Sequence, residues 1–95
     1  MMVIADSVTR AKLIAKAEAQ MMAKWPQYKG HFDDYILVQV NLKDVKTKMG
    51  LAFSAGEVTI AKPVPHEDGG RVLWSFKNQC NTLLREKHFK ILEMI

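Results

Sequence analysis

From Tyr35 to Leu42 the chain alternates without a break. Ile36, Val38, Val40 and Leu42 fall on one side, and Tyr35, Leu37, Gln39 and Asn41 on the other. A period of two is the signature of a strand. The first side is wholly apolar and belongs in a core; the second begins apolar and turns polar, as on a half-covered sheet. A second alternation sets Val72, Trp74 and Phe76 against Arg71, Leu73, Ser75 and Lys77. It predicts a strand with its aromatics turned inward. Leu73 is then the odd apolar residue on a partly polar face, and if exposed it offers a contact point. Val58-Thr59-Ile60-Ala61 predicts a shorter strand, entered through the turn residues Ser54 to Glu57 and left through Pro63 and Pro65, which cannot donate to a ladder. His66 to Gly70 reads as a polar loop tip, Asn78 to Asn81 as a turn, and Thr82 to Leu84 as a strand. Arg85 to His88 reads as one tight helical turn and Phe89 to Met94 as a closing strand. Lys43 to Lys48 reads as a charged link, and Met49 to Phe53 as the entry to the C-terminal group of strands.

Before this stretch the period changes. Residues 7–25 are filled with Ala, Leu, Lys, Glu, Gln and Met, good helix formers, with Asp6 or Ser7 placed to cap. Trp25-Pro26 ends the helix, because a residue before proline is pushed out of the α region. On a helical wheel Ala11, Ile14, Ala15, Ala17, Met21, Met22 and Trp25 share one broad face, with Val8 at its margin and Leu13 beside Ala17. Thr9, Lys12, Lys16, Gln20 and Lys24 take the opposite face. Two readings of that basic face stand side by side: a solvated surface, the commoner use of lysine, and a surface that tracks phosphates. A connector, Gln27 to Asp34, holds Tyr28 and His31.

The order from residue 51 onward is strand, loop, aromatic-bearing strand, tight turn, short strand, single helical turn and last strand. It resembles the Src-homology-3-like small barrel. Eukaryotic members end roughly Leu/Ile-Pro-x-x-Tyr-Val-x-Leu-Leu; here the residues are Leu84-Arg85-Glu86-Lys87-His88-Phe89-Lys90-Ile91-Leu92. The apolar skeleton matches, and Trp74 sits where such barrels often carry an aromatic. Arg85 replaces the proline, His88 replaces the tyrosine, and no Ala-Leu-Tyr-Asp-Tyr segment precedes. A groove for proline-rich peptides is therefore not implied. The resemblance implies a fold, one that hosts many functions.

The expected fold class is α+β: an N-terminal helix packed on a small, strongly bent antiparallel sheet or SH3-like barrel. All 95 residues are expected to form one domain, with helix 7–25, strand 35–42 and barrel-like strands over 51–95. A single cysteine, Cys80, rules out an internal disulfide and a multi-cysteine zinc site, and fits a reducing, cytoplasmic compartment. No apolar run approaches the ~20 residues of a membrane span, and no secretion signal is expected. A net charge of +4 permits contact with nucleic acid without requiring it.

Candidate chemistry is sparse. His31, His66 and His88 show none of the short spacings of metal ligands. Cys80, read in a turn, lacks the helix N-terminus that would lower its pKa. Asp33-Asp34 and Glu67-Asp68 are sequence neighbours that point apart on a strand, so neither is a poised acid–base pair. Gly69-Gly70 lacks the spacing and lysine of a phosphate loop. No enzyme and no cofactor are expected. The remaining reading is a binding module that meets nucleic acid through a basic surface, with Lys12, Lys16 and Lys24 or Arg71, Lys77 and Lys90 on phosphates. The alternative is a protein-interaction or regulatory factor, a homodimer included, using the helix's apolar face or a sheet edge.

Overall fold

The computed structural model describes residues 7–27 and 32–93. Asp6, Tyr28, His31 and Met94, named above, lie outside them. Helix α1 spans Ser7–Lys24 and closes with the Trp25 N–H on the Met21 carbonyl at 2.9 Å, just ahead of Pro26. Seven strands follow: β1 Ile36–Val40, β2 Val45–Thr47, β3 Gly50–Phe53, β4 Val58–Ala61, β5 Arg71–Ser75, β6 Cys80–Leu84 and β7 Phe89–Glu93, with a 3₁₀ turn at Glu86–His88. Five of them form an antiparallel sheet in the order β6-β5-β4-β1-β7, and β2 pairs with β3 as a separate hairpin. The architecture is α+β.

Strand β1 is central, and its two-sided pattern has a structural meaning. Ile36, Val38 and Val40 enter a core with Ala52, Phe53, Ala61, Leu73, Leu84 and Phe89. Tyr35 and Leu37 enter a second core with Ala17, Met21, Phe32, Ile60 and Trp74. Helix α1 covers one face of the sheet and the β2–β3 hairpin the other. That hairpin corrects two expectations. Residues 43–48 are not merely a charged link, since β2 lies among them. Leu73 is fully buried rather than exposed, because β3 packs over its face. Beside it, the buried Ser75 hydroxyl donates to the Ala52 carbonyl at 2.8 Å, joining strand to hairpin. Leu42 is the third correction. It is 86% exposed. The Asn41 carbonyl accepts from the Gly56 and Lys43 amides, which turns the chain before Leu42 can continue the strand. Cys80 also begins β6 rather than lying in a turn.

The sheet has to curl. Laid flat, its outer strands would stand roughly 19 Å apart, four spacings of about 4.8 Å. Strand β6 finishes opposite Arg71, whereas β7 starts opposite Val40, at the other end of β1. From Leu84 to Phe89 the chain reaches at most about 18 Å when fully extended, and a 3₁₀ turn shortens that. Only a strongly bent sheet lets both residues join one core, as they do. The bend stops short of closure: β6 and β7 do not pair, so the sheet is open rather than a barrel.

Helix α1 packs through a stripe rotated from the alanine-rich face. Ala17 and Met21 are buried with Leu13 and Ile14 beside them, while Ala11, Ala15 and Trp25 are exposed. Polar side chains widen this stripe by reaching backbone groups. Arg10 Nη1 donates to the Asp33 and Tyr35 carbonyls at 3.3 and 3.1 Å, and Glu18 Oε2 accepts the Phe32 amide at 3.2 Å. Gln20, expected on the solvent side, accepts from Trp74 Nε1 at 2.8 Å and donates to the Phe76 carbonyl at 3.2 Å. Long polar arms reach more of the sheet than a methyl group does, which explains the rotation.

The β5–β6 connection turns on Gln79, whose φ of 56° is the one positive value at a described non-glycine residue. Its N–H donates to the Ser75 carbonyl at 2.7 Å. A side chain in this region is strained by about 1 kcal/mol relative to glycine. Gln79→Gly should therefore raise stability by about 0.5–1 kcal/mol, read as a higher urea midpoint at unchanged slope. No gain would mean that the side chain holds the turn by some other contact.

Candidate nucleic-acid interface

Take as the upper end of the sheet the one where β1 finishes at Val40. Val58, Ser75, Cys80 and Phe89 sit at that end by register. Helix α1 runs toward it, from Arg10 near Tyr35 to Lys24 near Gln79. Three of the expected contact residues meet there. Lys24 Nζ donates to the Gln79 carbonyl at 2.6 Å. Lys16 Nζ stands 4.8 Å from the centre of the Phe76 ring, as a cation over an aromatic face. Lys77, in the same turn, lies 3.4 Å from Glu57 Oε1. Lys12 is exposed one helical turn below Lys16.

The other two lie apart. Lys90 is exposed on β7 opposite Gln39, also at the upper end but on the far edge strand. Arg71 is at the lower end and only 8% exposed. Its guanidinium donates to the carbonyls of Lys62 and Pro63, so it ties the exit of β4 to β5. Trp74 is fully buried and Phe76 half-buried, the inward placement their alternation predicts.

Two lysines lie outside the contact set expected from the sequence, Lys43 and Lys87, although Lys87 belongs to the run of basic residues interleaved with aromatics in the C-terminal half. A shallow groove of about 480 Å³ is lined by Asn41, Leu42, Lys43, Lys87 and His88. It adjoins another of about 440 Å³ lined by Gln39, Val40, Asn41, Leu42 and Lys90. Lys43 and Lys87 are far apart in sequence. They meet because the Asn41 amide donates to the His88 carbonyl at 2.8 Å, extending the β1–β7 pairing. Only the β1–β7 register could have found this pair, and periodicity within one segment does not contain it.

Charge is divided along the sheet. The upper end carries two groups of lysines, Lys16, Lys24 and Lys77 beside the β5–β6 turn and Lys43, Lys87 and Lys90 beside β7. Two carboxylates there are held by loop amides: Asp44 Oδ1 accepts from Ala55 at 2.8 Å and Glu57 Oε1 from Ser54 at 2.8 Å. Glu86 is exposed nearby in the 3₁₀ turn. At the lower end Asp33 and Asp34 precede β1, and Glu67 and Asp68 occupy the β4–β5 loop, all exposed. Lys62 and Arg85 are exposed among them.

The other candidates are locally satisfied. His66 Nδ1 accepts the Asp68 amide at 3.1 Å, which organises the loop tip. Cys80 Sγ lies 4.0 Å from Met49 Sδ and 3.9 Å from the Thr82 hydroxyl. Among the described residues no group of three or more His, Cys, Asp or Glu side chains gathers as a metal site, and no helix is long and apolar enough to cross a membrane. Fold and surface together define a small α+β chain with a bent open sheet and a lysine-bearing end. Comparison with protein-family models, curated proteins and solved structures finds no match.

Proposed function

We propose that this chain is a non-catalytic binding module that holds a nucleic acid at the upper end of its sheet. The supporting observation is the gathering of lysines at that end, with Asp44 and Glu57 held by loop amides and Asp33, Asp34, Glu67 and Asp68 at the far end. Phosphate contacts dominate such binding and need clustered cations more than any particular motif. Lys16, Lys24 and Lys77 are one group of contacts, flanked by Lys12, and Lys90 is a contact on the far edge strand. Arg71 is a structural residue in this reading. The strand order and the 3₁₀ turn before β7 also favour kinship with SH3-like folds, although the sheet is open.

A second reading, a protein partner or a second copy, keeps support from two features. Among the described residues nothing pairs with the outer edge of β6 or of β7, and Leu83 and Ile91 on these strands are exposed. On α1 the Ala17–Met21 stripe is covered by its own sheet, whereas Ala11, Ala15 and Trp25 of the expected apolar face stay exposed as further surface for this alternative.

Fluorescence anisotropy with a labelled oligonucleotide at low salt tests the proposal. The triple variant Lys16→Gln, Lys24→Gln, Lys77→Gln should bind about tenfold more weakly or worse, and Lys62→Gln, at the acidic end, should bind like the parent. Absence of binding by the parent chain at about 50 mM salt would overturn it.

A further inference from the structure

We infer that the trough formed by the two adjoining grooves seats a single-stranded nucleic acid, with Lys43, Lys87 and Lys90 on its phosphates and Leu42 and His88 against an unstacked base. This rests on the nucleic-acid reading above and names its site and its strand class.

The grooves adjoin at Asn41 and Leu42, with Lys43, Lys87 and His88 on one and Gln39 and Lys90 on the other, and together they are called the trough. Three lysines line it, and among the described residues that line it none carries a carboxylate. Asp44, next to Lys43 in sequence, is turned to the Ala55 amide instead. Three lysines in the lining against two flanking carboxylates, Asp44 and Glu86, leave a cationic excess that fits a polyanion.

Charge alone would serve a duplex equally well, but the trough also offers what only separated bases can use. Leu42 stands 86% exposed between the two grooves, and the half-buried His88 is among the lining residues. An apolar side chain and an aromatic ring beside cations are the parts used to hold an unstacked base, worth about 1–3 kcal/mol per stacked base. The amides of Asn41 and Gln39 add hydrogen-bonding capacity. Asn41 Nδ2 donates to the Lys87 carbonyl and Gln39 Nε2 to the Gly56 carbonyl at 3.0 Å. Their side-chain oxygens take no donor among the described residues and remain for base N–H groups. Duplex readers, by contrast, place a helix or a two-stranded ribbon in a groove of the DNA. Here α1 has its stripe packed on the sheet, and the trough is concave.

The experiment compares a labelled single-stranded 12-mer with a duplex of the same length, by anisotropy at about 50 mM salt, using the whole chain. The single strand is expected to bind about tenfold tighter than the duplex. The variant Lys43→Gln, Lys87→Gln, Lys90→Gln should lower single-strand affinity about tenfold or more, and Leu42→Ala about threefold to tenfold. Lys62→Gln should leave it unchanged, and circular dichroism should show each variant folded. Equal affinity for duplex and single strand overturns the inference. So does a trough variant that binds like the parent while Lys16→Gln, Lys24→Gln, Lys77→Gln loses binding; that outcome leaves the broader reading intact. An oligoglutamate peptide that binds the trough when neither oligonucleotide does overturns both.

Discussion

Gly70→Ala is expected to be among the most destabilising single substitutions, with a loss of about 3 kcal/mol or more from a total of roughly 5–15 kcal/mol. Gly70 has φ of +83°, and a Cβ there would lie inside the van der Waals sphere of the Leu84 carbonyl oxygen and 2.9 Å from Arg85 Cα. Those are backbone atoms, held by the pairing of Arg71 with Leu84. They can withdraw only if β6 leaves β5. Gly69 is the internal control. Its φ is +88°, yet a Cβ would meet nothing within 4 Å, so Gly69→Ala carries only the backbone strain of about 1–2 kcal/mol. Urea unfolding of the two variants separates close approach from backbone strain. Equal losses would show that the approach of Gly70 to β6 is not what demands glycine.

Trp74→Ala should be the other severe substitution, at about 3–5 kcal/mol. The side chain is fully buried, meets Phe32 edge-on at 5.0 Å between ring centres, and donates to Gln20 at 2.8 Å. It thus packs the helix-side core and also ties the helix to the sheet. A gentler pair isolates the second role. Trp74→Phe and Gln20→Met each leave a polar partner unanswered, at about 1–3 kcal/mol. The double variant removes both partners, so its loss should fall short of the sum by at least about 0.5 kcal/mol. Strict additivity would mean that the hydrogen bond does not position α1.

How much of this was legible in the sequence follows from the range of each signal. Alternation and helix periodicity are local, and they located α1, β1, β4, β5, the 3₁₀ turn and β7 to within a residue or two. They also placed Trp74 and Phe76 inward. Burial from across the sheet is not local. Leu73 looked anomalous because the strand that covers it, β3, is joined to a hairpin partner of only three residues, Val45–Thr47, inside a charged segment. Leu42 kept the pattern of β1 but lay past the point where Asn41 turns the chain. Helix spacing gives α1 and puts Ala17, Met21 and Ile14 on its packed side, but it sets that side too far toward Ala11 and Ala15, since hydropathy ranks alanine above Gln20 and Arg10 although the longer side chains reach the sheet. The candidate site divided in the same way. Helix spacing is enough to associate Lys12, Lys16 and Lys24, whereas Lys43, Lys87 and Lys90 are neighbours only through β1–β7 pairing. Arg71 shows the converse: a basic residue in a strand gives no local sign that backbone carbonyls already hold its guanidinium.

In the proposed complex, lysines at the upper end displace the counterions condensed on the nucleic acid and take their place on its phosphates. Anisotropy titrations of the unmodified chain against a single-stranded oligonucleotide, from about 50 to 200 mM salt, measure that exchange. Three to six lysine–phosphate contacts predict a straight line of log affinity against log salt with a slope of about −2 to −4. A slope near zero with measurable binding would contradict the account and assign the contact to apolar surface instead.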